Sequence, residues 1–511
     1  MLFNSLEFLL LFLPITMLGF AFATRQQSGG TAAVCWLIAL SLFFYGYWDW
    51  TFLILLVGST IFNFWIGLKI AQYKRRIILI VGIVVNLGLL GWFKYGMFIA
   101  GNLSTILGLN INIPDIVLPL SISFFTFHQI AYLVDVWRGD KPEHNLLYFA
   151  LFIFFFPHLI AGPVLRHWEL LPQFRKPEFR FNGENIAIGL AFLSIGLFKK
   201  VVLSNAVQGY SDRVFDIAAL GETVTFIPSW VAIISFSLQI YFDFSGYSDM
   251  AIGLARMCGV RLPINFNSPY KSTSIIEFWR RWHITLSRFL KDYLYIPLGG
   301  NQYGEWRRHA NLLIVMLLGG VWHGAAWTFV QWGASHGLAL IINHLWQGSG
   351  KKTQLSFSGR FVGWVLTMLV VLVAWVAFRA PNWLAAVTLW SGMFGLNGIF
   401  LPESYADSLG SLLQIIGVSF NTSPDIIIYP NRSELGMIFA LIACVVILPN
   451  SQEINAKFNP VFESIKQSTG LSHLLSWRYN VLTGICAGAL LALLMAIILQ
   501  SPGNAFIYFQ F

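Results

Sequence analysis

The most chemically pointed residue of this chain is a histidine at the end of an apolar run. Ala310 to Val321 is almost wholly hydrophobic and ends in Trp322-His323-Gly324. An ionisable group so placed needs a partner or a purpose. A neutral imidazole can take a proton from a hydroxyl, which is the work of a general base. Gly319, Gly320 and Gly324 flank it and would let a substrate or another backbone come close. Trp322, Trp327 and Trp332 would wall the site. His336 either orients His323 or packs, and packing is the simpler role.

A second histidine, His283, closes the stretch Glu277-Phe278-Trp279-Arg280-Arg281-Trp282-His283. Spacing predicts one helix over 275–293. Ile275, Trp279, Trp282, Leu286, Phe289, Leu290 and Tyr293 would form its apolar face, and Glu277, Arg280, Arg281, Ser287, Arg288, Lys291 and Asp292 its polar one. Glu277 with Arg281, and Arg288 with Asp292, stand four apart and would support it. Such a helix lies at an interface or lines a wet cavity. His283 falls on the border of the two faces, where it could meet both an acyl chain and water. A ring simply satisfied by a backbone carbonyl fits equally well. A basic connection, Arg307-Arg308-His309, follows.

Two carboxylates, Asp243 and Asp249, interrupt the apolar run Tyr241 to Gly253. Burying each unpaired is costly, so both are expected to pair with an arginine of the basic stretch downstream. Other chemistries lack their motifs. There is no G-x-S-x-G elbow, H-E-x-x-H, CxxC, Walker A or G-x-G-x-x-G pattern. His283 and His323 have no third ligand in a recognisable spacing, so no metal is expected.

These residues must be held by a membrane protein. Of 511 residues 57% are hydrophobic and only 11% charged, against about 25% charged in soluble domains. Leu6 to Ala23 is read as a retained first helix rather than a signal peptide. Apolar spans follow at 31–49, 51–70, 77–100, 116–136, 146–162, 184–203, 226–250, 310–321 joined to 325–346, 361–379, 435–449 and 480–500. Shorter pieces at 383–395 and 409–419 would be half-spans or surface helices. The total is roughly 11–13 membrane elements. The net charge of +9 fits positive-inside loops and anionic lipid rather than nucleic acid. Basic loops at Arg25, Lys74-Arg75-Arg76 and Arg138 with Lys141 put the N-terminus outside. Parity then fails unless 146–162, with Pro157 and Gly162-Pro163, turns back without crossing. Lys199-Lys200 is expected to end a helix and anchor it at the interface. The four cysteines are scattered and read as core residues. Three regions result: N-terminal helices (1–140), a core with the site (141–350) and C-terminal helices (351–511).

The stretches Phe152 to Pro163, Leu170 to Phe174, Tyr241 to Gly253, Glu277 to Ser287, Asp292 to Asn301 and Leu317 to Trp327 resemble the membrane-bound O-acyltransferase family, and most closely its bacterial alginate O-acetyltransferase branch. The resemblance runs in order to about Gly337 and fades beyond Phe400. His158 departs from it, standing where Gln is expected. The resemblance implies an all-α polytopic fold, a ring of tilted and partly broken helices around a thinned centre with a funnel on each side. It implies that His323 is the family's essential histidine and His283 its second signature position. It implies O-acetylation of an exported or cell-wall polysaccharide from a bacterial inner membrane, with an extracytoplasmic partner protein and no permanently bound cofactor. The donor would be a cytoplasmic thioester, acetyl-CoA, whose phosphates Arg280, Arg281, Arg288, Lys291, Arg307 and Arg308 could attract; ordinary interface charge explains any one of these equally well. D-alanyl transfer to teichoic acid from a carrier protein is the alternative within the family. A solute transporter using Asp243, Asp249 and His323 is the alternative outside it.

Overall fold

The computed structural model of the chain describes residues 1–26, 29–108, 111, 113–348, 356–402, 418–421, 429–465, 476–478, 480–500 and 506–507. In chain order the helices are α1 (Leu13–Arg25), α2 (Gly29–Gly46), α3 (Leu53–Tyr73), α4 (Arg76–Leu90), α5 (Gly96–Leu107), α6 (Ile122–Arg138), α7 (Leu146–Phe154), α8 (Phe156–Leu159), α9 (His167–Leu170), α10 (Gly183–Phe198), α11 (Asn205–Ala219) and α12 (Phe226–Met257). There follow α13 (Ile275–Arg281), α14 (Ile284–Leu290), α15 (Glu305–His323), α16 (Trp327–Gln347), α17 (Phe357–Arg379), α18 (Trp383–Met393), α19 (Arg432–Ile447), α20 (Ser451–Ile454) and α21 (Val481–Gln500). One short parallel pair, Ile399–Pro402 with Val418–Asn421, is the β-structure among the described residues.

Among the described residues, seven helical stretches are long and apolar enough to cross a membrane by length and composition. Their burial sorts them. The most hydrophobic 18-residue window of α12 is 72% buried, against 17% for Arg76–Leu107 and 11% for α21. The chain is thus a multi-pass membrane protein with α12 at its centre and α4, α5 and α21 turned towards lipid. Side chains such as Ile80, Val84, Leu87, Val481 and Ile485 are exposed for that reason.

Packing at the centre needs small residues, because lipid offers apolar side chains as good a solvent as another helix does. At the α10–α12 crossing a Cβ on Gly196 would stand 2.5 Å from the Gly246 carbonyl oxygen, and one on Gly246 2.7 Å from that of Gly196. Backbone therefore meets backbone there.

Several expectations are corrected. The helix of α10 does not end at Lys199-Lys200. It passes through a π-helical turn, Lys199–Ser204, into α11. Both lysines point inward, where Lys199 Nζ meets Asp249 at 2.6 Å and Lys200 pairs with Asp243. The aspartates are thus neutralised by lysines upstream, not by an arginine downstream. Asp249 also accepts from Ser451 Oγ at 2.8 Å and Gln452 Nε2 at 3.2 Å, and Asp243 from the Ile507 amide at 2.8 Å. The stretch 310–346 is two helices, α15 and α16, folded into a hairpin at 324–326. The stretch 275–293 is likewise broken, into α13, α14 and a π-helical turn, Lys291–Tyr295. The piece 409–419 lies outside the described residues up to 417, and from 418 it is strand.

The 146–162 segment follows its prolines. α7 has nine residues and breaks at Phe155 before the four of α8. Nine residues rise about 13.5 Å, less than half of a hydrocarbon core of about 30 Å. The segment 149–165 is buried throughout, which non-helical backbone at membrane depth requires.

Candidate active site

His323 is the last residue of α15, and the backbone turns extended at Gly324. The residue is 6% exposed. It stands edge-on to Trp322, Trp332 and Phe378, with ring centroids at 4.9, 5.0 and 5.2 Å. The hairpin that holds it is closed by glycine, for a Cβ on Gly320 would fall 2.3 Å from the Phe329 carbonyl oxygen.

His283 lies between α13 and α14 in the left-handed backbone region (φ 43°, ψ 54°) and is fully buried. Histidine tolerates that region better than bulky residues, yet it is uncommon outside glycine. The bend is fixed by Asn265. Its main-chain carbonyl accepts from the Ile284 amide at 2.9 Å, and its Oδ1 faces His283 Nδ1 at 3.0 Å. The same Oδ1 accepts from Thr285 Oγ1 at 2.9 Å, while Thr285 Oγ1 accepts from the Val164 amide at 2.9 Å. That chain of donors makes Asn265 Oδ1 an acceptor, so the proton of a neutral His283 sits on Nδ1 and Nε2 carries the lone pair. Nε2 has no hydrogen-bond partner among the described residues. His283 is therefore buried at a break between two short helices, not on the border of one amphipathic helix.

The two histidines share one wall. Trp322 lies 4.9 Å from the His323 ring and 6.5 Å from the His283 ring, centroid to centroid. His336 packs among Trp332, Trp279, Phe278 and Trp375. A cavity of about 150 Å³ opens beside His323, walled by Trp322, Phe124, Ser121, Ser123, Ile160 and Lys94 among others. Its rim includes Trp48 and residues 118–120. These lie at the ends of α3 and α6 opposite Lys74 and Arg138, so the cavity is on the face away from the basic loops.

The six expected cations are not gathered at His323. Arg281 pairs with Glu277 at 2.8 Å, Arg288 with Glu169 at 3.0 Å and Glu463 at 3.8 Å, and Arg308 with Glu305 at 3.6 Å. Arg280, Lys291 and Arg307 are exposed and form no ion pair with a described residue. From Arg308 to His323 the α15 axis rises about 22 Å.

Sequence reasoning missed Asn265 and Lys94. Nothing in Pro263-Ile264-Asn265-Phe266-Asn267 marks the asparagine. Lys94 does carry a signal, being a lone cation inside the apolar stretch Arg76–Leu107.

Residues 140–386 match the family model described as MBOAT, membrane-bound O-acyltransferase family. A peptidoglycan O-acetyltransferase of Helicobacter pylori is 43% identical over 431 residues, 78% of this chain and 81% of that protein. A probable alginate O-acetylase of Pseudomonas aeruginosa is also 43% identical, over 79% of this chain and 76% of its own. The chain belongs to the membrane-bound O-acyltransferase family. It is an O-acyltransferase, which sets the transporter alternative aside. A teichoic acid D-alanyltransferase of Streptococcus thermophilus is more distant, 28% identical over 44% of this chain and 57% of its own.

Proposed function

We propose that this O-acyltransferase acetylates an exported or cell-wall polysaccharide across a bacterial inner membrane, with acetyl-CoA as the cytoplasmic donor. One observation carries the reading. His323 lines a cavity on one face and shares Trp322 with a second buried histidine, His283, while the helix bearing His323 begins at Arg307 and Arg308 on the other face. By the positive-inside rule the cavity faces outwards and those arginines face the cytoplasm. A donor with an anionic head and a long flexible arm, such as coenzyme A, suits that separation. Arg280, Lys291 and Arg307, unpaired with any described carboxylate, are the cations best placed to meet its phosphates.

In this reading His323 takes the proton of the acceptor hydroxyl as its oxygen attacks the thioester carbonyl. The new C–O bond forms, the C–S bond breaks and the thiolate leaves. His283 Nε2 can only accept while the ring is neutral. It therefore holds an acceptor hydroxyl rather than polarising the carbonyl. An extracytoplasmic partner protein carries the acetyl group onward to the polymer. Acetyl transfer is preferred to D-alanyl transfer because the acetyltransferase relatives share 43% identity over most of the chain and the D-alanyltransferase 28% over less than half.

The test is transfer of labelled acetyl from acetyl-CoA in membranes containing the protein, with and without the candidate partner. His323→Ala should lower transfer by more than about 10²-fold at equal membrane abundance. Transfer that persists in that variant would overturn the role given to His323. Transfer of D-alanine from a charged carrier, with none from acetyl-CoA, would favour the alternative.

A further inference from the structure

The end of a helix leaves four backbone carbonyls without intrahelical partners. At the end of α15 these belong to Gly320, Val321, Trp322 and His323. Gly320 O accepts weakly from the Gly324 amide at 3.4 Å. The other three are taken by two neighbouring side chains of a single distant element. Tyr95 Oη donates to Val321 O at 2.8 Å. Lys94 Nζ donates to Trp322 O at 2.6 Å and His323 O at 3.0 Å, and reaches Ser123 Oγ at 3.4 Å. Both residues come from the π-helical turn Gly91–Tyr95 between α4 and α5. A π turn inserts one extra residue per turn and re-aims the side chains around it, which is why such turns recur at functional sites. Here it turns a lysine inward from a stretch that otherwise faces lipid.

We propose that Lys94 is a positioning residue of the acyl-transfer site: its ammonium caps the carbonyls of Trp322 and His323 and so fixes where the His323 ring stands in the cavity. A cation is favoured at a helix C-terminus by the helix dipole as well as by the open carbonyls. The lysine also lines the same cavity as His323. An ordinary membrane lysine would extend its stem to the nearest interface and leave its charge in water. Lys94 instead spends its donors on the two residues that wall and work the site. The inference rests on the acyl-transfer role of His323 for its kinetic consequence, but not for its geometric one.

The experiment compares wild type, Lys94→Met and Lys94→Arg, each full-length and purified into lipid nanodiscs. Hydrogen exchange at 320–326 and steady-state acetyl transfer from labelled acetyl-CoA are measured side by side. Lys94→Met keeps the stem and removes the donors. It should speed exchange at 320–326 while the rest of α15 stays protected, and lower kcat by about 10²-fold with KM for the donor within about twofold, as expected when a reacting group is misplaced rather than unbound. Lys94→Arg keeps the charge and the donors and should recover at least about tenfold of the lost kcat. Unchanged exchange at 320–326 in Lys94→Met, or kcat within about threefold of wild type, overturns the proposal. So does loss of protection spread over the whole of α15, or an equal loss in both variants. If the wild-type protein moves no acetyl group while Lys94→Met still loosens 320–326, the acetyl-CoA reading fails and the capping geometry stands.

Discussion

His283 shows what a single backbone angle can do. Its left-handed conformation ends α13 and starts α14, sends the ring inward and lets Asn265 hold Nδ1. Replacement by alanine should act twice. It removes the Nε2 acceptor, and it forces a residue less suited to that backbone region, at about 1–2 kcal/mol. Asparagine tolerates the same region. His283→Asn is therefore expected to keep a melting temperature closer to wild type than His283→Ala, while both lose acyl transfer by about 10²-fold or more. Thermal unfolding and acetyl transfer on the same preparations check this. Equal melting temperatures would remove the backbone part of the account. The placement of His283 was not legible in the sequence, because a helical wheel assumes the helix continues, and here Trp282 and His283 break it.

At the scale of elements, the α10–α12 contact joins backbone approach to buried charge. Lys200→Met leaves Asp243 buried without its cation. Removing one partner of a buried pair costs about 3–5 kcal/mol, so the variant should lose most of its folded yield or melt far lower. Lys200→Met combined with Asp243→Asn should recover much of that, because no uncompensated charge remains. Failure of the double variant to recover would mean that the pair does more than balance itself. The α15–α16 hairpin gives a second test. Gly320→Ala puts a methyl against the Phe329 carbonyl and must splay the helices that hold His323, so transfer should fall by about tenfold or more. Gly88→Ala meets nothing within 4 Å and should change stability by no more than about 1 kcal/mol. The pair separates helix propensity from crowding at the site.

The whole molecule sets sidedness. Trp48 and residues 118–123 stand at helix ends opposite Lys74-Arg75-Arg76 and Arg138, while α15 starts at Arg307 and Arg308. In a background with the four cysteines replaced by alanine, Trp48→Cys should react with a membrane-impermeant maleimide in spheroplasts. Arg307→Cys should react only after permeabilisation. The reverse pattern would invert the assignment of donor and acceptor faces.

Composition alone determined the membrane class, since a chain with 11% charge cannot cover a soluble surface. Motif spacing determined the family, and the isolation of His323 in an apolar run made it the candidate base. Local pattern could also foresee that the helix of 146–162 is broken, because proline and glycine act on their own neighbours. Only the tertiary structure decided the rest. Lys199 and Lys200 read as anchors until Asp249 and Asp243, about fifty and forty residues on, were brought against them across the α10–α12 crossing. Lys94 had no role in the sequence reading, and its role emerges only where a turn of one helix meets the end of another more than two hundred residues away. Such pairings depend on which helix ends face each other, and periodicity reports only how each helix faces its surroundings.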